Sequence, residues 1–409
     1  MKGRYEPMKK TILTLAIAFL LLCTACGKTE TNHDAFFDTF LLTDMKVDGI
    51  TTPALFNPAK GTSTPICTDP LCAHTKDAGC PFGGYNKVGD LHYHNNAIYY
   101  LSGKHSLLDS DIMRYDMESG KVDSIVSLTE LAEYVPADIK SGNGIGHGFI
   151  DGYFRYIIRN ADFTAAFQLR VDLDNGKVEV LDKNYRYPTA EYDGITLTTT
   201  PEMDYTGVSY GFVKTDDKGN TETILADRRI QITFDDLLED GKLIYTDCYQ
   251  REDGKYDLER QRLWMYDFKT GEDRLIMEEF PDVYIAMHGD YIYHVKDVEN
   301  PPVLGVDMNS EGKERFNTSG GILWKTNIYT GESEIAFEMP EYTLMGTQID
   351  RVGQYIVIGY HNVDYKNYTI EEFVHNNIVE TWYEYPEEIG RIVYDTETGT
   401  TAVYPDAST

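Results

Sequence analysis

One short turn recurs seven times along this chain and limits what it can fold into more than any other feature. Each copy sets Asp or Asn a few residues before Gly: Asn57 to Gly61, Asp116 to Gly120, Asp172 to Gly176, Asp216 to Gly219, Asp267 to Gly271, Asn327 to Gly331 and Asp395 to Gly399. A second element precedes each turn, a Gly with a polar neighbour followed by alternating apolar positions. Asp240-Gly241-Lys242-Leu243-Ile244-Tyr245 and Gly289-Asp290-Tyr291-Ile292-Tyr293 are the clearest cases. Both elements read as hairpin turns between strands. Hairpins arrayed at this period point to a β-propeller. The expectation is an all-β fold, a single propeller of about seven four-stranded blades with short helical insertions. The N-terminal copy is compressed, with Gly49 close before Gly61, so six blades plus an N-terminal cap is the alternative count.

In one blade the strands are expected at 283–287, 291–295, 322–327 and 333–337. Spacing longer than a lean blade of roughly 40–50 residues marks insertions. These fall at 128–140, a short helix broken by Pro136, at 299–315 and at 365–388, where 371–384 reads as a surface helix. No Pro- or Ser-rich linker divides residues 34–405, which are read as one propeller domain.

The first 25 residues read as a leader. Met8-Lys9-Lys10 is a basic start, and residues 12–22 form an apolar run too short for a normal membrane span. Ala25-Cys26 follows, and the segment resembles the lipobox of bacterial lipoproteins, with Cys23 where that family usually has Leu. The resemblance implies cleavage before Cys26, acylation of its thiol, and attachment to the outer face of a bacterial membrane. Residues 26–33 are then the lipidated Cys and its tether. An uncleaved membrane helix is the competing reading.

Formal net charge is −30, which repels nucleic acid and anionic headgroups. Cationic partners, divalent ions and neutral glycans remain permitted, and the charge also serves solubility alone. Tyr is abundant, at 31 residues, and strand composition accounts for most of it.

The most chemically specific stretch is Cys67-Thr68-Asp69-Pro70-Leu71-Cys72-Ala73-His74, followed by Cys80-Pro81. Cys67, Cys72, His74 and Cys80 make a closed set for one structural zinc, with no position left for catalytic water. A disulfide is the rival reading in an exported protein, and free thiols the third. One disulfide would leave a cluster Cys over, because Cys248 lies far along the chain in an expected strand. This cluster behind a lipobox is similar to uncharacterised propeller lipoproteins of Gram-positive gut anaerobes. That resemblance implies location and fold, and no chemistry.

Other motifs weigh less. Gly207-Val208-Ser209-Tyr210-Gly211 matches a nucleophile elbow, but strand pattern rather than helix follows it. Val171 and Leu173 break the calcium-loop frame ending at Gly176. His92 and His94 share a strand face without a third ligand. Residues 144–148 read as a flexible Gly-rich loop lacking the Lys and Ser/Thr of a phosphate loop. No catalytic residue is assigned. The favoured function is a membrane-anchored, non-enzymatic binding module for an extracellular glycan, peptide or protein, with contact regions at 128–147, 299–315 and 365–388. The alternative is an extracellular carbohydrate-active hydrolase or lyase, which needs two converging carboxylates.

Overall fold

The computed structural model describes residues 36–406 apart from intervening segments, the longest being 68–79, 83–90, 103–109, 137–143, 182–189 and 200–208. The leader, Cys26, Cys72 and His74 lie outside the described residues. Among the described residues no helix is long and apolar enough to cross a membrane.

The strands form an all-β propeller of six four-stranded blades and a three-stranded N-terminal sheet. The N-terminal sheet pairs Leu41–Val47, Ile50–Asn57 and Thr62–Pro65. Blade 1 is His92–His94, Ala97–Ser102, Asp111–Asp116 and Val122–Ser127, and blade 2 runs from Gly144–Ile150 to Val178–Val180. Blades 3 and 4 form one seven-stranded sheet. Strand Thr221–Glu239 is the outer strand of blade 3, pairing with Ser209–Thr215, and continues as the inner strand of blade 4, pairing with Lys242–Gln250. Blade 5 comprises Ala286–His288, Tyr291–Lys296, Gly321–Asn327 and Ser333–Met339. Blade 6 comprises Thr343–Val352, Tyr355–Val363, Glu387–Asp395 and Thr401–Pro405. The expected seven four-stranded blades are thus corrected to six, and the N-terminal element has three strands because its single hairpin repeat is too short for a fourth.

The repeated turn has one cause at all seven positions. The Asp or Asn side chain accepts backbone N–H bonds from residues two or three further on, as Asp267 does from Lys269 (2.7 Å) and Thr270 (3.1 Å) and Asn327 does from Tyr329 (2.9 Å) and Thr330 (3.0 Å). The same side-chain bonding recurs at Asn57, Asp116, Asp172, Asp216 and Asp395. The closing Gly donates its N–H to the carbonyl of that Asp or Asn and takes a left-handed backbone at every copy. Local side-chain acceptors thereby replace the ladder where each blade reverses.

Side-chain alternation then joins the sheets. In the N-terminal sheet Leu41 and Phe56 face blade 6, packing on Val352, Val357 and Val393. Their neighbours Leu42 and Leu55 face blade 1 and the cluster of Tyr93, Ile98, Tyr100 and Tyr115. One pleat therefore presents opposite faces to the last and first blades, and the sheet fills the sector between them. Arg391 of blade 6 adds a polar tie, donating to Thr43 Oγ1 at 2.7 Å with its guanidinium 5.1 Å from the Phe56 ring centre. Further apolar clusters join blades 1 and 2, 3 and 4, 4 and 5, and 5 and 6.

The insertions differ from expectation in two places. The 128–140 segment does begin with a helix, Leu128–Leu131, capped by Ser127 Oγ accepting from the Thr129 N–H. The 371–384 segment is not a helix. It is the hairpin Thr369–His375 with Ile378–Glu384, set between the second and third strands of blade 6. The 299–315 region contributes to a matching hairpin in blade 5, Val303–Met308 with Glu314–Thr318. Residues 144–148 are strand rather than flexible loop, because each pairs in register with Arg155 to Arg159.

Phe56 is 2% exposed and bridges the N-terminal sheet to blade 6. Replacing it with Ala should cost about 3–5 kcal/mol of stability, measured by urea unfolding. At Asp116, hydrogen bonds from the Ser119 N–H and hydroxyl hold the carboxyl below its usual range. A depressed folded pKa gives stability that is present above the unfolded value and lost as pH falls through the folded one. The stability gap between the native chain and Asp116→Asn should therefore be largest near neutral pH and close on acidification below the ordinary carboxylate range.

Candidate functional site

Cys67 and Cys80 converge at the joint between the N-terminal sheet and blade 1. Cys67 follows the last N-terminal strand and is buried, and both thiols belong to the Phe82, Tyr93, Tyr100 and Tyr115 cluster. Phe82 donates its backbone N–H to Cys80 Sγ at 3.4 Å. Burial raises the Tyr115 hydroxyl pKa, and the charges of Cys67, Asp116 and Cys80 raise it further. Cys72 and His74 lie outside the described residues, and among the described residues no group of three or more His, Cys, Asp or Glu is placed to hold a metal. Cys248 is buried in Lys242–Gln250, blades away from the cluster, as the alternation of that strand implies.

The other sequence motifs take structural roles. His92 and His94 do share a strand face, with ring centres 6.5 Å apart. His92 stacks on Phe149 of blade 2 at 5.6 Å, while His94 Nε2 lies 3.5 Å from Asp174. Both imidazoles therefore serve the blade 1–2 contact. Gly211 of the elbow-like motif sits at a β-bulge between Tyr210 and Phe212 with φ +71°, and a Cβ there would clash with the Ile224 carbonyl oxygen. That bulge, not a nucleophile, explains the glycine.

A polar network that sequence reading missed lies where blades 3 and 4 share a strand. Asp247, 1% exposed, accepts from Arg262 Nε (2.9 Å) and Nη2 (2.6 Å) and from Trp264 Nε1 (2.8 Å). Arg228 stacks 3.5 Å over the Trp264 ring and donates to Asp273 at 2.9 Å. Tyr245 donates to the other Asp273 oxygen at 2.6 Å. Burial raises the Asp273 carboxyl, and its bonds from Tyr245 and Arg228 oppose that rise. Two guanidiniums against two carboxylates leave no charge for a ligand, so the network is a staple. The alternating Asp247, Tyr245 and Arg262, Trp264 positions on paired strands were its only sequence trace.

The two faces of the propeller are unlike. The turns between first and second strands and between third and fourth strands emerge on one face and are short. Connections between second and third strands emerge on the other, where blades 5 and 6 carry their hairpins. Between blades 5 and 6, on the turn face, lies a cleft of about 370 Å³ lined by His288, Asp290, Tyr291, Tyr293, Lys325 and Glu397, among others.

No described protein family matches the chain, and no curated protein does. Among solved structures it is similar to an oligogalacturonate lyase from Vibrio parahaemolyticus, at 12% identity and TM-score 0.46, covering 78% of this chain and 83% of that one. It is similar to an uncharacterised protein from Listeria monocytogenes EGD-e, at 10% identity and TM-score 0.44, covering 90% and 91%. It also resembles a prolyl endopeptidase, at 11% identity and TM-score 0.41, spanning 56% of that chain. At these values nothing of residue or activity carries across; the propeller itself is read from this chain's own strands.

Asp247→Ala removes the acceptor of the Arg262 guanidinium and of the Trp264 N–H, while Arg228 keeps Asp273, and should cost about 1–3 kcal/mol, read by chemical denaturation. Asp174→Ala, at the exposed His94 contact, should stay within about 1 kcal/mol of the native chain in the same assay.

Proposed function

We propose that this chain is a surface lipoprotein, anchored by acyl chains on Cys26, whose propeller is a non-enzymatic binding module for an extracellular ligand. One observation carries the reading: the asymmetry of the two faces. One face is closed by seven side-chain-braced turns, whereas blades 5 and 6 project the Val303–Met308 and Thr369–His375 hairpins from the other. Loops and arms on a rigid scaffold are where recognition concentrates. The insertion at 365–388 is rich in acidic and aromatic residues, a composition suited to contact rather than to core. Two or more acyl chains on Cys26 give stable attachment where one is marginal.

A structural zinc held by Cys67, Cys72, His74 and Cys80 belongs to the same proposal. The two described cysteines belong to one apolar cluster at the sheet joint, and Cys80 Sγ accepts the Phe82 N–H. When bound, the ion would close the segment that follows the N-terminal sheet and precedes blade 1, with no open position for chemistry.

Cys26→Ser should move the chain from the membrane to the soluble fraction; retention in the membrane would overturn the anchor. Photo-crosslinkers placed along 369–384 should capture a surface ligand, while those at Glu118 and Lys269 should not. Equal capture from both faces would refute the assignment of recognition to the hairpin face. Native mass spectrometry should show one zinc, lost in Cys80→Ser; a mass two hydrogens light and metal-free would make the cluster a disulfide.

A further inference from the structure

Among the described residues the N-terminal sheet is a blade without its innermost strand. In all six blades the repeated Asp or Asn turn joins the third strand to the fourth. In the N-terminal sheet that turn, Asn57 to Gly61, joins Ile50–Asn57 to Thr62–Pro65. These are therefore a third and a fourth strand, and Leu41–Val47 is a second. A second signal agrees. In five blades the residue after the Asp or Asn donates its N–H to the turn between first and second strands, as Met117 does to Asn96 and Ile328 to Asp290. Its counterpart here is Pro58, which has no N–H to give. Among the described residues no strand pairs with the inner edge of Leu41–Val47.

That edge is regular. Seven successive pairs join Leu41–Val47 to Ile50–Asn57 without a bulge. Asp44 opposes Pro53, so theirs is not a pair that exchanges two hydrogen bonds. Thr43, Met45 and Val47 are then the residues bonded to Ile50–Asn57, and Leu42, Asp44 and Lys46 direct their N–H and carbonyl groups to the inner edge. Outer edges of the ring are blunted: the fourth strand of blade 2 has three residues, and the fourth strands of blades 1 and 5 carry bulges. The inner edge of Leu41–Val47 is neither short nor bulged, and it is a template for one more strand.

The walls of the vacant place differ in chemistry. On the blade 1 side Phe36 stacks on Tyr93 of the innermost strand, with ring centres 4.0 Å apart. On the blade 6 side Asp350 of the innermost strand lies directly across from Val357, which packs towards the N-terminal sheet. Asp350 is exposed and shares that face. A strand added here sets alternate side chains against the aromatic pair and against the carboxylate. The net charge of −30 favours a cationic partner. We propose that an extended basic peptide, alternating cationic and apolar residues, enters the ring and completes the N-terminal sheet as its innermost strand, bonded to Leu42, Asp44 and Lys46. This contact is separate from the hairpins and does not depend on Cys26.

The test is hydrogen exchange resolved to single amides on the full chain, with acetyl-Lys-Val-Lys-Val-Lys-Val-Lys-amide as probe. Saturating peptide should slow exchange at Leu42, Asp44 and Lys46 about tenfold or more. The same peptide with Pro in place of Val keeps its charge, loses alternate N–H groups and should protect none of the three. Asp44→Pro, which sets a ring where the edge N–H stood, should raise the dissociation constant of the labelled Lys-Val peptide about tenfold or more with an unchanged urea midpoint. Lys46→Pro, at the strand end, gives the same readout if that variant unfolds, and the native exchange pattern decides if both do. Absence of protection would overturn the proposal. So would equal protection by the Pro peptide, or native affinity in a folded Pro variant. Loss of hairpin crosslinking leaves this result untouched, so the two assignments fail separately.

Discussion

Packing between sheet faces, rather than hydrogen bonding between strands, makes this molecule one body. Most blades complete their backbone ladders internally, so each contributes to the ring only what its two faces bury against neighbours. The N-terminal sheet shows the constraint most clearly. Among the described residues it pairs with neither adjacent blade, and its position rests on Phe56 and Leu41 on one side and Leu55 and Leu42 on the other. A single-residue slip of strand Ile50–Asn57 would exchange those faces and open both joints at once. Aromatic side chains suit this task, since each large ring spans the gap between twisted sheets that aliphatics would leave partly empty. That is the use of many of the tyrosines: Tyr99, Tyr100, Tyr156, Tyr245 and Tyr360 are all fully buried.

How much of this was legible in the sequence depends on the range of the interaction. The repeated turn was legible because its cause is local: a carboxylate or amide oxygen reaching N–H groups two and three residues on leaves a fixed spacing to Gly. The strands of blade 5 fell within a few residues of their expected places for the same reason. The 371–384 segment misled because its Glu residues match a solvated helix face. The better signal was Asn376-Asn377 between two β-branched and aromatic runs, a hairpin turn flanked by strands. Gly144 to Gly148 misled because alternate glycines look like a loop, when a neighbouring strand supplies the order that their side chains do not. The Asp247 staple and the blade 5–6 cleft join residues from separate strands or blades, and no local spacing encodes them. At the cysteine cluster the sequence named the residue types, and the fold added that Cys67 and Cys80 pack in one apolar cluster at a sheet joint.

Charge is distributed to match this architecture. The Asp residues of the repeated turns spend their oxygens on backbone N–H groups, so part of the acidity of the chain is structural. Asp247 and Asp273 are likewise committed to Arg228 and Arg262. The surplus that keeps partners of like charge away therefore resides in exposed positions such as Glu118, Glu133 and Glu397. A chain of this composition selects partners first by exclusion, and the remaining specificity falls to the few places where cations and donors stand among the carboxylates.

The strand Thr221–Glu239 has a mechanical consequence. Its first half is laddered to blade 3 through Ser209–Thr215 and its second half to blade 4 through Lys242–Gln250, the two ladders meeting at Ile230. No connecting loop separates these two blades, so a shift of one is passed directly along the backbone to the first strand of the other.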